Sequence, residues 1–289
     1  MQSLCIHAIP GGQMSGHVRH DVSDVNSVSN YLVPRAMSET MKNKVVMITG
    51  AANGIGLECA KLFAQRGAHL MLSDIDESTG KPAVAEPRAN GVEVAFHPCN
   101  VTDGDAVRGL VQATIDQFGK LDCAANNTGV EHQHMKLAEH DDDEFDRAIG
   151  INLKGVYLCM KYELKEMLKQ ENGVIVILAS QAGLGGAPGL GGYAASKHGV
   201  VGLTRTAALE YAKRGIRVNA MCPSFTNTAM VQRMIDQDPK LEQILNNASA
   251  MKRMSEPGEE ASTVAFLCSD EVPFTNGQVL ALDGGITAW

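Results

Sequence analysis

The stretch Lys44-Val-Val-Met-Ile-Thr49-Gly50-Ala-Ala-Asn53-Gly54-Ile55-Gly56 decides the fold. Its first six residues are dominated by apolar side chains and read as a buried strand. The chain then runs straight into glycines. From Ile55 to Arg66 the apolar residues recur at helical spacing, and the helix is expected to stop at Gly67. A strand, a glycine turn and a helix in that order offer free backbone N–H groups and the positive end of a helix dipole to a pyrophosphate. The spacing is G-x-x-x-G-x-G, which differs from the G-x-G-x-x-G dinucleotide fingerprint. Gly50, Asn53, Gly54, Ile55 and Gly56 are therefore candidate cofactor-binding residues.

Working outward, apolar segments alternate with amphipathic ones. Strands are expected at Lys44–Thr49, His69–Ser73, Val92–Phe96, Leu121–Ala125, Gly173–Leu178, Ile216–Met221 and Gln278–Leu282. Helices are expected at Ile55–Arg66, Ala106–Phe118, about 142–169 and Tyr193–Arg214. The segment after the second strand carries Pro82 and Pro87, which work against a continuous helix. Gly173-Val-Ile-Val-Ile-Leu178 is apolar on both faces and reads as a central strand. Strands separated by helices predict an α/β fold of the Rossmann type. It is a doubly wound, seven-stranded parallel sheet with helices on both faces, connected by right-handed crossovers.

The 289 residues suffice for one large core, here assigned to a single domain over 41–289. Residues 1–40 are polar and glycine-containing, and read as a flexible leader or a non-native extension. With 25 Lys+Arg against 33 Asp+Glu the net charge is -8, which gives no general attraction for nucleic acid. No apolar run approaches the ~20 residues of a membrane span. Seven scattered cysteines without a C-x-x-C fit a cytoplasmic chain with no disulfide framework or zinc site. His132, His134, His140 and Asp141–Asp143 form a polar run, read as solvated rather than metal-binding.

Two further features carry chemistry. Asp74 closes the second strand 24 positions after Gly50, where a carboxylate can accept hydrogen bonds from an adenosine ribose. At ~4 Å from a 2′-phosphate it would meet a repulsion of about 4 kcal/mol at an effective dielectric near 20. Neither Asn53 nor Ile75 supplies a compensating cation, so NAD is favoured over NADP. The second feature is Tyr193-Ala-Ala-Ser-Lys197. On a helix, residues four apart share a face, so a phenol lies beside an ammonium. A neighbouring positive charge favours the phenolate, which makes Tyr193 a candidate general base with its activator next to it.

With these residues in view the chain resembles the short-chain dehydrogenase/reductase family, in its single-domain form, over about residues 42–288. The likeness rests on Thr49-Gly50…Gly54-Ile55-Gly56, Asn126-Asn127-Thr128-Gly129, Asn152, Ser180, Tyr193…Lys197 and Pro223-Ser224…Thr228 in order and spacing. The resemblance implies that Tyr193 is the general acid/base and that Lys197 lowers its pKa and holds the nicotinamide ribose. It implies that Ser180 bonds the substrate oxygen and that Asn152 anchors a water on a proton path. It adds Asp74, Ile75, Asn100, Val101, Asn126, Pro223, Phe225, Thr226 and Thr228 to the cofactor contacts, with Tyr193 and Lys197, and Gln181 to the substrate contacts. Three positions depart from the family pattern: Thr128 for Ala, Asn100 for Asp and Ser224 for Gly. It also implies a homotetramer.

The expected reaction is hydride transfer between NAD and a secondary alcohol, with a cyclic alcohol, diol or ketone as the substrate the resemblance favours. A 3-oxoacyl-thioester reductase and a catalytically silent NAD-binding scaffold are the alternatives. Asp74 argues against the first. The intact Asn152, Ser180, Tyr193 and Lys197 argue against the second. Substrate walls are expected from Val130–Asp143, from Gln181–Gly192 and from a helical lid at about 224–254. The lid methionines Met230, Met234, Met251 and Met254 are expected to be core rather than pocket lining.

Overall fold

Seven strands build one sheet: β1 (Val45–Thr49), β2 (His69–Asp74), β3 (Val94–Pro98), β4 (Cys123–Asn126), β5 (Gly173–Leu178), β6 (Ile216–Pro223) and β7 (Val279–Leu282). All pairs are parallel, in the order β3-β2-β1-β4-β5-β6-β7. The expected doubly wound sheet is therefore present, with strand limits within about two residues of those read from the sequence. The structure is a computed structural model that describes residues 40–131 and 133–288. Apart from Thr40, the leader assigned to residues 1–40 lies outside the described residues, as do His132 and Trp289. Packing reaches back to Met41, whose side chain is fully buried.

The connecting helices are α1 (Gly54–Gln65), α2 (Glu77–Ala83), α3 (Ala85–Arg88), α4 (Gly104–Phe118), α5 (Asp142–Ile149), α6 (Val156–Gln170), α7 (Gly191–Tyr211), α8 (Ala229–Gln237), α9 (Lys240–Ala248) and α10 (Pro257–Cys268). Strand residues alternate between two cores, as a two-residue period requires. On one face Met47, Ile175, Ile177 and Val218 pack with Leu110 of α4, Leu164 and Met167 of α6 and Val200 of α7. On the other face Val46, Ile48, Leu70, Leu72 and Val176 pack with Phe63 of α1 and with Val264 and Leu267 of α10. β5 is buried along its whole length, as a central strand.

Local signals explain most helix limits. Asp103 caps α4 by accepting from the backbone N–H groups of Asp105 and Ala106, and Gly119 ends it at φ +77. Asp141 caps α5 by accepting from the N–H of Asp143, so the Asp141–Asp143 run opens a helix where its charge favours the dipole. The prolines after β2 divide that segment into α2 and α3, with the break at Val84. Two features differ from the sequence reading. The helical stretch 142–169 contains a π-helical segment, Gly150–Gly155, between α5 and α6. Residues 257–268 form α10, which covers α1 and was not expected. Its signals are local and explicit: Glu256 and Glu259 make a capping box, and Pro257 stands at the first helical position.

The strand order reverses between β1 and β4, where Thr49 pairs with Asn126. Such a switch point leaves a crevice outside the carboxyl ends of the strands. Gly50, Asp74, Asn126, Leu178 and Pro223 all lie at those ends.

Candidate active site

The glycine turn after β1 is a cradle that only glycine fits. Gly50 has φ +64, and a Cβ there would stand 2.9 Å from Nδ2 of Asn127. A Cβ on Gly56 would stand 2.2 Å from the Gly50 carbonyl oxygen, so α1 can approach the turn only because that atom is missing. A Cβ on Gly54 would come 3.6 Å from the methyl of Thr228, which brings the start of α8 over the turn. Thr228 also caps α8 by accepting from Val231 N–H. The carboxylate of Asp74 accepts from Ala52 N–H at 3.1 Å and stands at the edge of this cradle, with Ile75 exposed beside it. Asn53 is exposed, Ile55 half-buried and Val101 buried, while Asn100 closes a turn on Thr102. The turn, the bare N-terminus of α1 and the nearby carboxylate fit the pyrophosphate and ribose of a dinucleotide.

The segment Asn126-Asn127-Thr128-Gly129 is laced to this cradle. The Thr49 hydroxyl accepts from the N–H groups of Asn127 and Thr128, and Asn127 Nδ2 donates to the Gly50 carbonyl at 2.8 Å. The side chain of Asn126 faces the other way. It is buried, and Nδ2 donates to Glu163 of α6. Its backbone, and not its amide, is what the crevice can reach.

The proposed proton-handling residues converge. Tyr193 and Lys197 lie on the first turns of α7, with Lys197 Nζ 5.6 Å from the centre of the Tyr193 ring. Lys197 is buried, and Nζ donates to the Leu178 carbonyl at the end of β5 at 2.8 Å. Burial lowers its pKa to about 8. Ser180, two residues beyond β5, accepts from Ala182 N–H at 3.2 Å, and its hydroxyl draws the Tyr193 pKa down. Gln181 opens the turn that follows, and its Oε1 has no partner among the described residues. Asn152 sits in the π-helical segment, fully buried, and both ends of its amide hold one residue. Its Oδ1 accepts from Val130 N–H at 2.8 Å, and its Nδ2 donates to the Val130 carbonyl at 3.0 Å. A Cβ on Gly129 would lie 3.4 Å from Asn152 Oδ1 and 3.6 Å from Lys197 Nζ, so Gly129 is the point where β4, the π segment and α7 meet.

Two expectations change here. Taken together, the protein's own groups hold the phenol above its ordinary value. Burial pushes the Tyr193 pKa up, the Ser180 hydroxyl pulls it down, and the Glu131 carboxylate and the Cys222 thiol push it up again. Glu131 and Cys222 were missed by motif reading because their effect comes from position alone. The lid methionines also differ from expectation. Only Met254 enters the lid's small core, with Ile235 and Leu245, whereas Met230, Met234 and Met251 remain exposed.

One fastening of the lid joins its two stems. Glu260 of α10, fully buried, accepts from Thr226 Oγ1 at 3.1 Å and from Ser255 Oγ at 2.6 Å. Thr226 and Ser255 form an isolated parallel bridge, and Asn227 N–H donates to the Ser255 carbonyl. Both stems of the lid thus meet beneath the loop that begins at Pro223 and Phe225. Elsewhere, His140 bonds the Met135 carbonyl, and no group of three potential metal ligands occurs among the described residues.

Comparison with known proteins agrees with this geometry. Residues 50–287 match the family model described as Enoyl-(Acyl carrier protein) reductase. The chain is 40% identical over 249 residues to 2,5-dichloro-2,5-cyclohexadiene-1,4-diol dehydrogenase of Sphingobium indicum, covering 86% of this chain and 98% of the relative. Among solved structures, NAD+-bound xylitol dehydrogenase superposes with a TM-score of 0.81 at 33% identity, covering 85% of this chain and 99% of the other. ElxO with NADP bound superposes with a TM-score of 0.81 at 32% identity, covering 85% and 99%. The chain belongs to the short-chain dehydrogenase/reductase family.

Proposed function

We propose that this protein is an NAD-dependent dehydrogenase that interconverts a secondary alcohol, cyclic or a diol, and its ketone. The observation that carries the reading is the convergence of Ser180, Tyr193 and Lys197 at the strand ends beside the glycine cradle. The bound nicotinamide would accept or return the hydride, and the residues of this chain handle the proton and the orientation. Tyr193 Oη takes the hydroxyl proton during oxidation. The Ser180 hydroxyl fixes the substrate oxygen against it. Lys197, anchored on the Leu178 carbonyl, holds positive charge under the ring, which favours the phenolate at the moment the proton leaves. Asn152 positions Gly129 and Val130 against Lys197 through its two bonds to Val130.

The 40% identical relative named for a cyclohexadiene diol supports a cyclic substrate. The exposed methionines of the lid suit an adaptable apolar wall. An NAD-reduction screen over cyclic, aromatic, steroid and sugar alcohols at mildly alkaline pH tests the reading. Cyclic alcohols or diols should give the highest kcat/KM. A silent panel, with NAD bound tightly, would favour a scaffold instead. The family-model description favours a carrier-linked acyl substrate as the second reading, and activity confined to acyl thioesters would select it.

Asp74 supports NAD as the cofactor. Asp74→Ala removes the carboxylate that faces a 2′-phosphate. The ratio of kcat/KM values should move toward NADP by 30-fold or more, within the limit set by about 4 kcal/mol. An unchanged ratio would take Asp74 out of cofactor selection. The six described cysteines are free and buried, which supports a reducing, cytoplasmic setting. Exposed Tyr157 and Leu209 on α6 and α7, with Phe266 and Leu280 on α10 and β7, support a homotetramer.

A further inference from the structure

Glu163 is a fully buried carboxyl group that the chemistry above does not use. It stands on α6, and Oε2 accepts a 2.9 Å bond from Asn126 Nδ2 at the end of β4. Each of these touching head groups has one more oxygen, Glu163 Oε1 and Asn126 Oδ1, and both are buried without a hydrogen-bond partner. While Glu163 is a carboxylate, both of those atoms are acceptors only, and nothing between them can donate. A single proton corrects both faults. On Oε1 it converts one orphan acceptor into a donor and gives the other orphan its partner.

We propose that Glu163 is held as a neutral carboxylic acid and forms a cyclic acid–amide pair with Asn126, with Oε1–H donating to Asn126 Oδ1 while Nδ2–H donates to Oε2. The pair makes Glu163 a positioning residue. It fixes which way Asn126 is turned, and with it the segment through Gly129 that ties the glycine cradle to Lys197.

The surroundings favour the neutral form. Burial raises the Glu163 pKa to about 8, against a smaller downward pull from the Asn126 amide. The titratable groups on this side are thiols. Cys159 lies one turn earlier on α6, and Cys99 beyond it follows β3. Burial raises both, so neither is charged near neutral pH. No Asp, Lys, Arg or His among the described residues contributes to Glu163.

The first test is the infrared difference spectrum of wild type minus Glu163→Gln. At pH 7 it should show the C=O stretch of a protonated carboxylic acid, and that band should fade with a midpoint near pH 8. Glutamine offers the same donor and acceptor pattern. At pH 7 Glu163→Gln should therefore have a Tm no lower than wild type and bind NAD within about twofold of it, whereas Glu163→Leu, which orphans both ends of Asn126, should lose both. By pH 9 wild type should bind NAD about tenfold more weakly than Glu163→Gln, since one pH unit above its midpoint an acid is about tenfold depleted of its protonated form. Lys197 titrates in the same range in both proteins, so their difference isolates Glu163.

Stability follows the same sign. Folded Glu163 holds its proton at higher pH than the unfolded chain, so its contribution is full below pH 4.5 and is lost as pH rises through about 8. The Tm of Glu163→Gln should therefore gain on that of wild type across that range. Carboxylate bands at pH 7, or a Gln variant as impaired as the Leu variant, would overturn the pair. The consequence for NAD rests on the reading in the preceding section. The vibrational band needs no cofactor, so a chain that binds no dinucleotide would refute that reading and leave this one to be decided by its spectrum.

Discussion

Tyr193→Phe should lower kcat/KM for alcohol oxidation by about 10³–10⁴-fold while leaving the NAD dissociation constant within about threefold, the range expected for loss of a general acid/base. The substitution deletes one oxygen. The ring stays beside Lys197, and Ser180 keeps its bond from Ala182 N–H. In the proposed reading most of the dinucleotide is held by the glycine cradle and Asp74, and the substitution leaves those groups in place. Separating the two quantities is the point of the measurement. Stopped-flow turnover and calorimetric NAD binding on the same preparation provide both. Residual turnover above a tenth of wild type would remove Tyr193 from the proton path. A parallel loss of NAD affinity would make its role one of packing.

Lys197→Met should abolish turnover, by 10³-fold or more, and should not destabilise the fold. The ammonium is buried, and the drop in its pKa from 10.5 to about 8 reports the cost of burying it. That difference corresponds to roughly 3 kcal/mol at 1.36 kcal/mol per pH unit. Against it stands the Leu178 carbonyl, which would lose its donor at a cost of about 1–3 kcal/mol. The sum runs from near zero to about 2 kcal/mol in favour of methionine. Between pH 8 and 10.5 the unfolded chain binds more protons at this site than the folded one, so wild-type stability recovers as pH rises. The advantage of the variant should be largest below pH 8 and shrink above it. Thermal unfolding at pH 7 and pH 10 checks this. A Tm lowered by more than about 5 °C at pH 7 would mean that the ammonium stabilises the fold. A stable but inactive variant would mark Lys197 as a residue kept for chemistry at the expense of stability.

Much of this site was legible because it is local. Tyr193 and Lys197 are four residues apart on one helix, and the glycines of residues 50–56 lie between a strand and a helix whose patterns are strong. The sheet was legible because β5 and β1 are apolar on both faces. What stayed hidden is set by distance along the chain. The bond from Asn126 to Glu163 spans 37 residues, the Lys197 bond to Leu178 spans 19, and Asn152 reaches 22 residues back to Val130. No period in the sequence announces such partners. The upward push on the Tyr193 pKa is of the same kind, since it comes from burial and from Glu131 and Cys222, which three different segments bring together. α10 is the exception. Its capping box and proline are as local as any motif, and its mixed surface hid the amphipathic pattern that usually draws attention first.

The fastening that joins the two lid stems has a consequence for how such a protein diversifies. Thr226 and Ser255 sit side by side on Glu260, so the chain between them leaves the sheet and returns to the same spot. Extending a loop whose ends already touch costs only about 0.6 kcal/mol for each doubling of its length. That stretch can therefore be lengthened or shortened with little strain on β6 or α10, provided the two hydroxyls, the carboxylate and the bond from Met251 N–H to the Gly284 carbonyl are kept. The scaffold therefore lets the length of this stretch vary while Ser180, Tyr193 and Lys197 stay where they are.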